Sequence, residues 1–229
     1  MVVRVTWNLN DEICGIAQTS NLDDAMFKLG LIEDTMGKYK IEQGEWERGG
    51  AETYILRFSV YHNDQSSEYI VKACTAFSAS QNISEIIADW VDRRNTLKNN
   101  GIITPRLVGI GKGVIVEQFI PFTLSQAIQK KDKRDTHLIQ LAIFAATIHK
   151  LGFLAIEPFS DLRSNGRDVI PVDFGQDLGG YSGKPIYSKD KLFEEMLDKL
   201  RGWNVKLNGK DINTMRMTYI SIVDEPAHN

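Results

Sequence analysis

Residues 161–175 read DLRSNGRDVIPVDFG, and this stretch decides the fold. Its centre, at 164–167, holds the Asn-Gly pair that is typical of a tight turn. Strand-forming runs flank that turn at 161–163 and 169–172. The pattern predicts a small β-hairpin that leads directly into Asp173, a carboxylate at the end of a strand, and Gly175 lets the chain turn sharply there.

Periodicity on both sides of this hairpin predicts a sheet-forming part followed by a helical part. Apolar runs predict strands at 54–60, 68–74, 106–110 and 113–120, with a turn over 62–67 between the first two. Helical spacing predicts helices at 22–37, 83–97, 136–151, 189–201 and 210–223. Asn21 or Asp23 would cap the first helix, Gly101 would end the second, and the third should be buried all round. This order indicates an α+β fold, a sheet lobe joined to a helical lobe, rather than an alternating βαβ fold.

Composition excludes several classes of function. The chain has 229 residues, of which 42% are hydrophobic and 25% charged, as in ordinary globular proteins. A net charge of -3 gives no basic surface for nucleic acid, and no apolar run approaches the roughly 18 residues of a membrane span. The first residues do not resemble a signal peptide, and the two cysteines have no metal-ligand spacing. We therefore expect a cytoplasmic protein, in its own cell or in a host cell.

Three groups in these elements suit phosphate chemistry. Gly49 and Gly50 lie at a strand turn, where the missing Cβ lets backbone N–H groups approach phosphate oxygens, although ordinary hairpin turns have the same composition. Lys72 lies mid-strand, where an ammonium is unexpected unless it faces a binding site or extends to solvent. Asp173 suits Mg²⁺, which prefers a few carboxylate oxygens beside substrate phosphates, although a plain strand-end turn looks the same.

The joint order of these elements resembles the protein-kinase-like superfamily. The segment GIITPRLVGIGKGVIVEQFIP at 101–121 is similar to the run from the helix through the hinge in the aminoglycoside phosphotransferase and choline kinase branch. The segment IHKLGF at 148–153 is similar to the approach to that branch's catalytic loop. Small atypical kinases share this pattern, and the likeness covers roughly residues 45–180.

The resemblance implies a two-lobed kinase-like fold with ATP and Mg²⁺ as ligands. Residues 1–118 would form the N-lobe, with 1–44 as an extension, and residues 119–229 a reduced helical C-lobe. Lys72 would bind the α- and β-phosphates, Asp173 the metal, and Gly49 with Gly50 would cover the phosphates. The backbone from Glu117 to Phe119 would bind adenine.

The family also pairs the lysine with a glutamate on the following helix, and Glu85 is the candidate here. Stepping about 100° per residue places Glu85 with Asp89 and Asp92 on the side away from Ile87 and Trp90. A solvated acidic stripe explains the same three residues.

The catalytic loop departs from the family pattern. Counting from His149 places Glu157 where the family has its catalytic aspartate, and Asp161 near the second metal ligand. A second alignment makes Asp161 the base and Asn165 the metal ligand, but it leaves seven residues before Asp173, too few for the hairpin. We prefer the first alignment, with Glu157 or Asp161 near the acceptor.

Three functions fit these observations. The first is an ATP-binding, atypical phosphotransferase that acts on a hydroxyl group of a protein or a small molecule. The second is a pseudokinase that retains the fold and acts by binding a protein partner, which the altered loop around Glu157 favours. The third is an α+β adaptor protein in which the order of motifs is coincidental.

Overall fold

The computed structural model describes residues 8–35, 37–48, 53–74, 82–175 and 178–225. The chain divides into two compact units. The first, here called the sheet unit, comprises Met1–Ala88 and Arg106–Phe119; the second, the helical unit, comprises Asp89–Pro105 and Ile120–Asn229. Helices and antiparallel strands occur together, so the predicted α+β class is confirmed.

The sheet unit is built on an antiparallel sheet. Its strands are β1 (Tyr39–Gln43), β2 (Glu47–Arg48), β3 (Thr53–His62), β4 (Gln65–Cys74), β5 (Leu107–Ile110) and β6 (Val114–Gln118). The order across the sheet is β1-β3-β4-β6-β5, and β2 also pairs with β3. Strand β4 therefore lies between β3 and β6, in the middle of the sheet. The helices α1 (Leu9–Ala17) and α2 (Leu22–Lys28) precede the sheet.

One face of this sheet forms the hydrophobic core with the N-terminal helices. Alternate residues of the central strands are buried against α1 and α2: Leu56, Phe58, Val60, Tyr69, Val71, Ala73, Val114 and Val116. The helices contribute Leu9, Ile13, Ala17, Ala25 and Met26. Since successive strand residues point to opposite faces, Lys72 and Glu117 lie on the face away from this helical layer. The N-terminal extension thus covers the sheet face opposite Lys72.

Two predicted boundaries in the sheet unit were wrong. Helix α2 ends at Lys28 rather than continuing to 37, because Gly30 takes a left-handed φ of 63° and the amide of Leu31 bonds back to the carbonyl of Met26. The turn after β3 consists of Asn63 and Asp64, both with positive φ, as in tight hairpins. The expected turn over 62–67 is therefore mostly strand. The Asn21 cap of α2 is confirmed by its bond from the amide of Asp23.

The helical unit combines long helices with a small sheet. Its elements are the C-terminal part of α3 (Ile83–Asn99), β7 (Phe122–Thr123), α4 (Leu124–Gln129), a 3₁₀ turn (Lys131–Lys133), α5 (Arg134–Leu151), β8 (Leu162–Ser164), β9 (Val169–Pro171), α6 (Lys191–Gly202) and α7 (Gly209–Val223). Strands β7, β8 and β9 form an antiparallel sheet in that order. Among the helices of the described residues, none is long and apolar enough to cross a membrane.

Most predicted elements of the helical unit are present. Helix α5 is buried along most of its length, from His137 to His149, as its apolar residues predicted. Helix α3 ends where Gly101 takes a left-handed φ of 83°. The hairpin β8–β9 is present within one residue of the predicted strands. Residues 89–105, which the prediction assigned to the N-lobe, belong to this unit because Trp90 and Arg93 contact Phe174 within it.

Candidate functional site

Lys72 is a buried lysine on the central strand of the sheet unit. It lies opposite Ile55 on β3 and Ile115 on β6, and only 9% of the residue is exposed. Its Nζ atom lies 2.6 Å from the Oε1 atom of Glu117 on β6, whose side chain is 1% exposed. Glu117 is two positions after Ile115 along β6, so the glutamate side chain projects from the same sheet face as the lysine. The lysine is therefore held by a carboxylate within its own sheet.

A buried ion pair of this kind has two physical consequences. Removing two charges from water costs several kcal/mol, and their attraction in the interior repays this cost only with good geometry. Losing one partner leaves the other charge buried and is strongly destabilising. An ammonium placed here also acts on an anion more strongly than in water, because the local dielectric is low. Lys72 is thus a buried, paired cation and not a solvated surface lysine.

Glu85, the predicted partner of Lys72, lies elsewhere. Its side chain is exposed in the first turn of α3, and no ion pair joins it to any described residue. Asp89 and Asp92 are exposed as well. Asp92 accepts a hydrogen bond from the hydroxyl of Tyr181. The solvated acidic stripe is therefore the better description of these three residues, and Glu117 replaces Glu85 as the carboxylate beside Lys72.

The predicted adenine-binding backbone is partly engaged in the sheet unit. The amide of Gln118 donates to the carbonyl of Arg106 at 2.9 Å, and the amide of Phe119 donates to the carbonyl of Glu68 at 3.0 Å. The guanidinium of Arg57 lies 4.1 Å from the centre of the Phe119 ring. These two amides are thus not free to donate to a purine without losing a bond inside the unit.

The glycines expected to cover phosphates, Gly49 and Gly50, lie outside the described residues. The strands on either side of them are paired, with Arg48 opposite Tyr54.

In the helical unit, the backbones of Asp161 and Asp173 lie near each other at the open end of the β8–β9 hairpin. Leu162 is paired with Pro171, and one step further the amide of Val172 donates to the carbonyl of Asp161 at 3.0 Å. Asp173 follows directly and is half-buried, with its Oδ1 atom accepting from the amide of Gly175 at 2.8 Å. Asp161 is exposed. The two aspartates thus occupy neighbouring backbone positions, although the whole hairpin lies between them in the sequence.

The segment that carries Asp173 is anchored by two residues of α3 that the sequence analysis did not select. Phe174 is fully buried, and the ring of Trp90 meets it edge-on with centroids 4.9 Å apart. Arg93 donates to the carbonyls of Phe174 and Gly175 at 3.0 and 2.8 Å. The only signal for Arg93 was a basic residue next to the apolar face of the helix. This anchoring fixes where the Asp173 backbone lies.

The far end of the hairpin excludes the second alignment of the catalytic loop. Asn165 accepts hydrogen bonds from the amides of Arg167 and Asp168, so it forms the turn between β8 and β9. It lies at the opposite end of the hairpin from Asp173 and does not share a metal site with it. A buried pair links this end to α5, since His137 Nε2 lies 2.8 Å from the hydroxyl of Ser164. Burial lowers the pKa of His137.

Glu157 lies in a different part of the helical unit. It is exposed and accepts a hydrogen bond of 2.7 Å from the hydroxyl of Ser160, which in turn accepts one of 3.0 Å from Lys199. These three residues line an open cavity of about 470 Å³ beside α6. Neither Asp161 nor Asp173 is among the described residues that line this cavity. Glu157 thus pairs with Ser160 in its own loop, and neither aspartate is among the described residues of its cavity.

A magnesium ion would find two protein ligands at the hairpin end. Within the described ranges, no three His, Cys, Asp or Glu side chains converge on one point. Mg²⁺ is commonly held by one or two carboxylates, with phosphate and water oxygens completing the octahedron. Asp161 and Asp173 fit that kind of site, in which the nucleotide supplies the remaining ligands.

Neither a protein-family model nor a curated protein sequence matches the chain. The function is therefore inferred from the placement of the residues themselves. Lys72 with Glu117 in the sheet unit, and Asp161 with Asp173 in the helical unit, are the two groups whose placement suggests a chemical role.

Proposed function

We propose that this protein binds ATP together with Mg²⁺ and is a kinase-like phosphotransferase for a hydroxyl group of a protein or a small molecule. The observation that carries the proposal is the pair of carboxylates, Asp161 and Asp173, at the open end of one hairpin. A half-buried and an exposed carboxylate at adjacent positions suit a metal that also binds phosphate oxygens.

Lys72 supplies the phosphate-binding cation in this proposal. Its ammonium is buried on the sheet face that α1 and α2 leave uncovered, and a lysine ammonium carries three N–H donors. Phosphoryl transfer needs little covalent chemistry from the protein, because catalysis is almost entirely positioning and charge stabilisation. Lys72 would hold phosphate oxygens, and Asp161 and Asp173 would hold the metal that neutralises the developing charge.

The make-up of each unit supports the same proposal. The sheet unit with its buried lysine would correspond to the N-lobe of a kinase-like fold, and the helical unit to a reduced C-lobe. Cys14 and Cys74 are not joined in a disulfide, which suits a reducing compartment, so the proposal includes a cytoplasmic location.

Isothermal titration calorimetry with ATP tests the proposal. We expect binding that needs Mg²⁺, and that Asp173→Asn or Asp161→Asn weakens at least about tenfold, as loss of a metal ligand does. Asp168→Asn is the matched control, because Asp168 lies at the turn end of the same hairpin. Equal ATP binding with and without Mg²⁺ would contradict the metal site. No heat of binding at millimolar ATP would favour the adaptor function.

A pseudokinase is the second candidate, and the position of Glu157 favours it. The carboxylate of Glu157, which was expected to accept the hydroxyl proton, lines a cavity. Neither Asp161 nor Asp173 is among the described residues that line this cavity. Transfer of radiolabelled γ-phosphate, to the protein itself or to a lysate, separates the two candidates. A phosphotransferase incorporates label that Asp173→Asn abolishes, whereas a pseudokinase binds ATP and incorporates none.

A further inference from the structure

We propose that Glu117 is the positioning residue for Lys72, in the role that the kinase resemblance gives to a helix glutamate. This inference rests on the proposed function, because it concerns how the lysine is presented to the nucleotide. It assigns a role to the side chain of Glu117, whereas the sequence had suggested a role only for the backbone of this residue, in adenine binding.

The contact between the two residues is short and dry. Nζ of Lys72 and Oε1 of Glu117 are 2.6 Å apart, and their side chains are 11% and 1% exposed. A charge-assisted bond of this length is stronger than a neutral one. Because water is excluded from the glutamate, the bond is not weakened by competition from solvent. The ammonium is therefore restricted to one of the orientations that its flexible stem allows.

The alternative partner is excluded by its position. Glu85 is exposed on α3 and has no ion pair with a described residue, whereas Glu117 is among the most buried charged residues of the sheet unit. Burying a carboxylate without function is costly, and most charged residues are found at the surface. The buried position of Glu117 beside Lys72 therefore favours Glu117 over Glu85 as the partner of this lysine.

Carrying the glutamate on a strand changes how the pair behaves. Strands β4 and β6 are hydrogen-bonded neighbours, with Ile70 opposite Glu117 and Lys72 opposite Ile115. In kinases whose glutamate lies on a helix, movement of that helix breaks the ion pair and switches the enzyme off. A shift of one strand past its neighbour would break the sheet ladder and turn side chains to the wrong face. The Lys72–Glu117 pair is therefore permanently formed, independent of the position of α3.

The chemistry of the pair follows from its geometry. A lysine ammonium has three N–H donors and no acceptor. One donor is directed to Glu117, and this fixes the directions of the others, so the cation is pre-organised for phosphate oxygens. Pre-organisation strengthens binding by lowering the conformational entropy that is lost when the ligand arrives. Removing the carboxylate frees the ammonium to rotate and weakens its hold on phosphate.

The test is calorimetric titration of ATP and Mg²⁺ into the full chain and three variants. Glu117→Gln keeps the shape and removes the charge, Glu117→Asp keeps the charge on a shorter stem, and Glu85→Gln is the matched control on α3. We expect the dissociation constant for ATP to rise about tenfold in Glu117→Gln, the scale on which partners that orient a binding group matter. A smaller rise is expected in Glu117→Asp and no change in Glu85→Gln. Melting temperatures without ATP identify any variant that has failed to fold.

The outcomes separate this inference from the proposed function. If the unaltered protein does not bind ATP, the proposed function fails and this inference fails with it. If the unaltered protein binds ATP and folded Glu117→Asp binds it equally well, Glu117 has a structural role only and the inference alone is overturned. A loss in Glu85→Gln that equals the loss in the Glu117 variants would also overturn it, because the helix would then supply the partner. Folding of Glu117→Asp decides the matter even if Glu117→Gln is unfolded.

Discussion

The ion pair of Lys72 with Glu117 and the two carboxylates of Asp161 and Asp173 are held in opposite ways, each in its own unit. In the sheet unit, Lys72 and Glu117 project from hydrogen-bonded strands and are buried together. In the helical unit, Asp161 and Asp173 lie just beyond the ends of short strands, one exposed and one half-buried. The Lys72–Glu117 pair contributes to the stability of its unit, whereas Asp161 and Asp173 are solvated and can be substituted. Substitutions in the two groups should therefore differ in kind: loss of stability together with weaker ligand binding in the first, and loss of ligand binding alone in the second.

The largest effect on stability is expected at Lys72. Lys72→Met leaves the carboxylate of Glu117 buried without its cation, which should lower the free energy of unfolding by about 3–5 kcal/mol. The double variant Lys72→Met with Glu117→Leu should recover most of that loss, because apolar residues of similar size replace buried ion pairs well. Urea unfolding of both variants measures this. A loss below about 1 kcal/mol in the single variant would show a pair no stronger than a surface salt bridge.

The next largest effect is expected at Arg93, which links the helical unit's core to the segment of Asp173. Arg93→Gln removes two charge-assisted bonds, to the carbonyls of Phe174 and Gly175, and should cost about 2 kcal/mol. It should also weaken Mg²⁺-dependent ATP binding, since the backbone of Asp173 loses its anchor. Arg201→Gln is a suitable control, because exposed Asp198 on α6 is the ion-pair partner of Arg201 among the described residues. Equal stability of the Arg93 and Arg201 variants would refute the anchoring role.

A smaller effect concerns pH and the buried histidines of α5. Burial lowers the pKa of His149, and the charge of Lys189 lowers it further. The folded protein therefore binds the proton less well than the unfolded chain, so stability should fall as the pH decreases through about 6.5, the pKa of an unperturbed histidine. His149→Phe should lose less stability between pH 7.5 and 5 than the unaltered protein. Urea unfolding midpoints at each pH measure this loss of stability. An equal loss in both proteins would assign the effect to other titratable groups.

The smallest effect on stability is expected at the hairpin carboxylates. Asp173→Asn retains an oxygen that can accept the bond from Gly175, and Asp161 is exposed, so each substitution should change stability by less than about 0.5 kcal/mol. Their effect on ATP binding should still be large. Differential scanning fluorimetry of the free proteins checks this. A shift in melting temperature as large as that of Lys72→Met would remove the distinction between the two groups.

Local signals in the sequence predicted much of the fold. The Asn-Gly turn at 164–167 gave the β8–β9 hairpin, and the spacing of Ile87, Trp90 and Leu97 gave α3, whose buried side holds these residues. Helix α4 was missed, although Thr123 and Gln126 form a capping box that could have shown its start. Helix α1 was also missed, since Gly15 interrupts its helical pattern.

The candidate site was less accessible to sequence reasoning because it depends on pairing between distant strands. Periodicity predicted that Lys72 lies mid-strand, but only the pairing of β4 with β6 places Glu117 beside it. Helix geometry had already placed Glu85 on the side of α3 away from its apolar residues. No local sequence pattern indicated which other carboxylate would pair with Lys72. The predicted hairpin did run from Asp161 to the residue before Asp173, and the structure has their backbones at its open end. Glu157 was chosen by counting from His149, and counting carries no information about which surface a loop residue faces.

The most direct test of the central claim is a crystal structure with a non-hydrolysable ATP analogue and Mn²⁺ in place of Mg²⁺. We predict one anomalous manganese peak at about 2.1–2.2 Å from carboxylate oxygens of Asp161 and Asp173, with phosphate oxygens in the same coordination shell. Nζ of Lys72 should lie within hydrogen-bonding distance of an α- or β-phosphate while it remains bonded to Glu117. Nucleotide bound elsewhere, or manganese held by neither aspartate, would contradict the account.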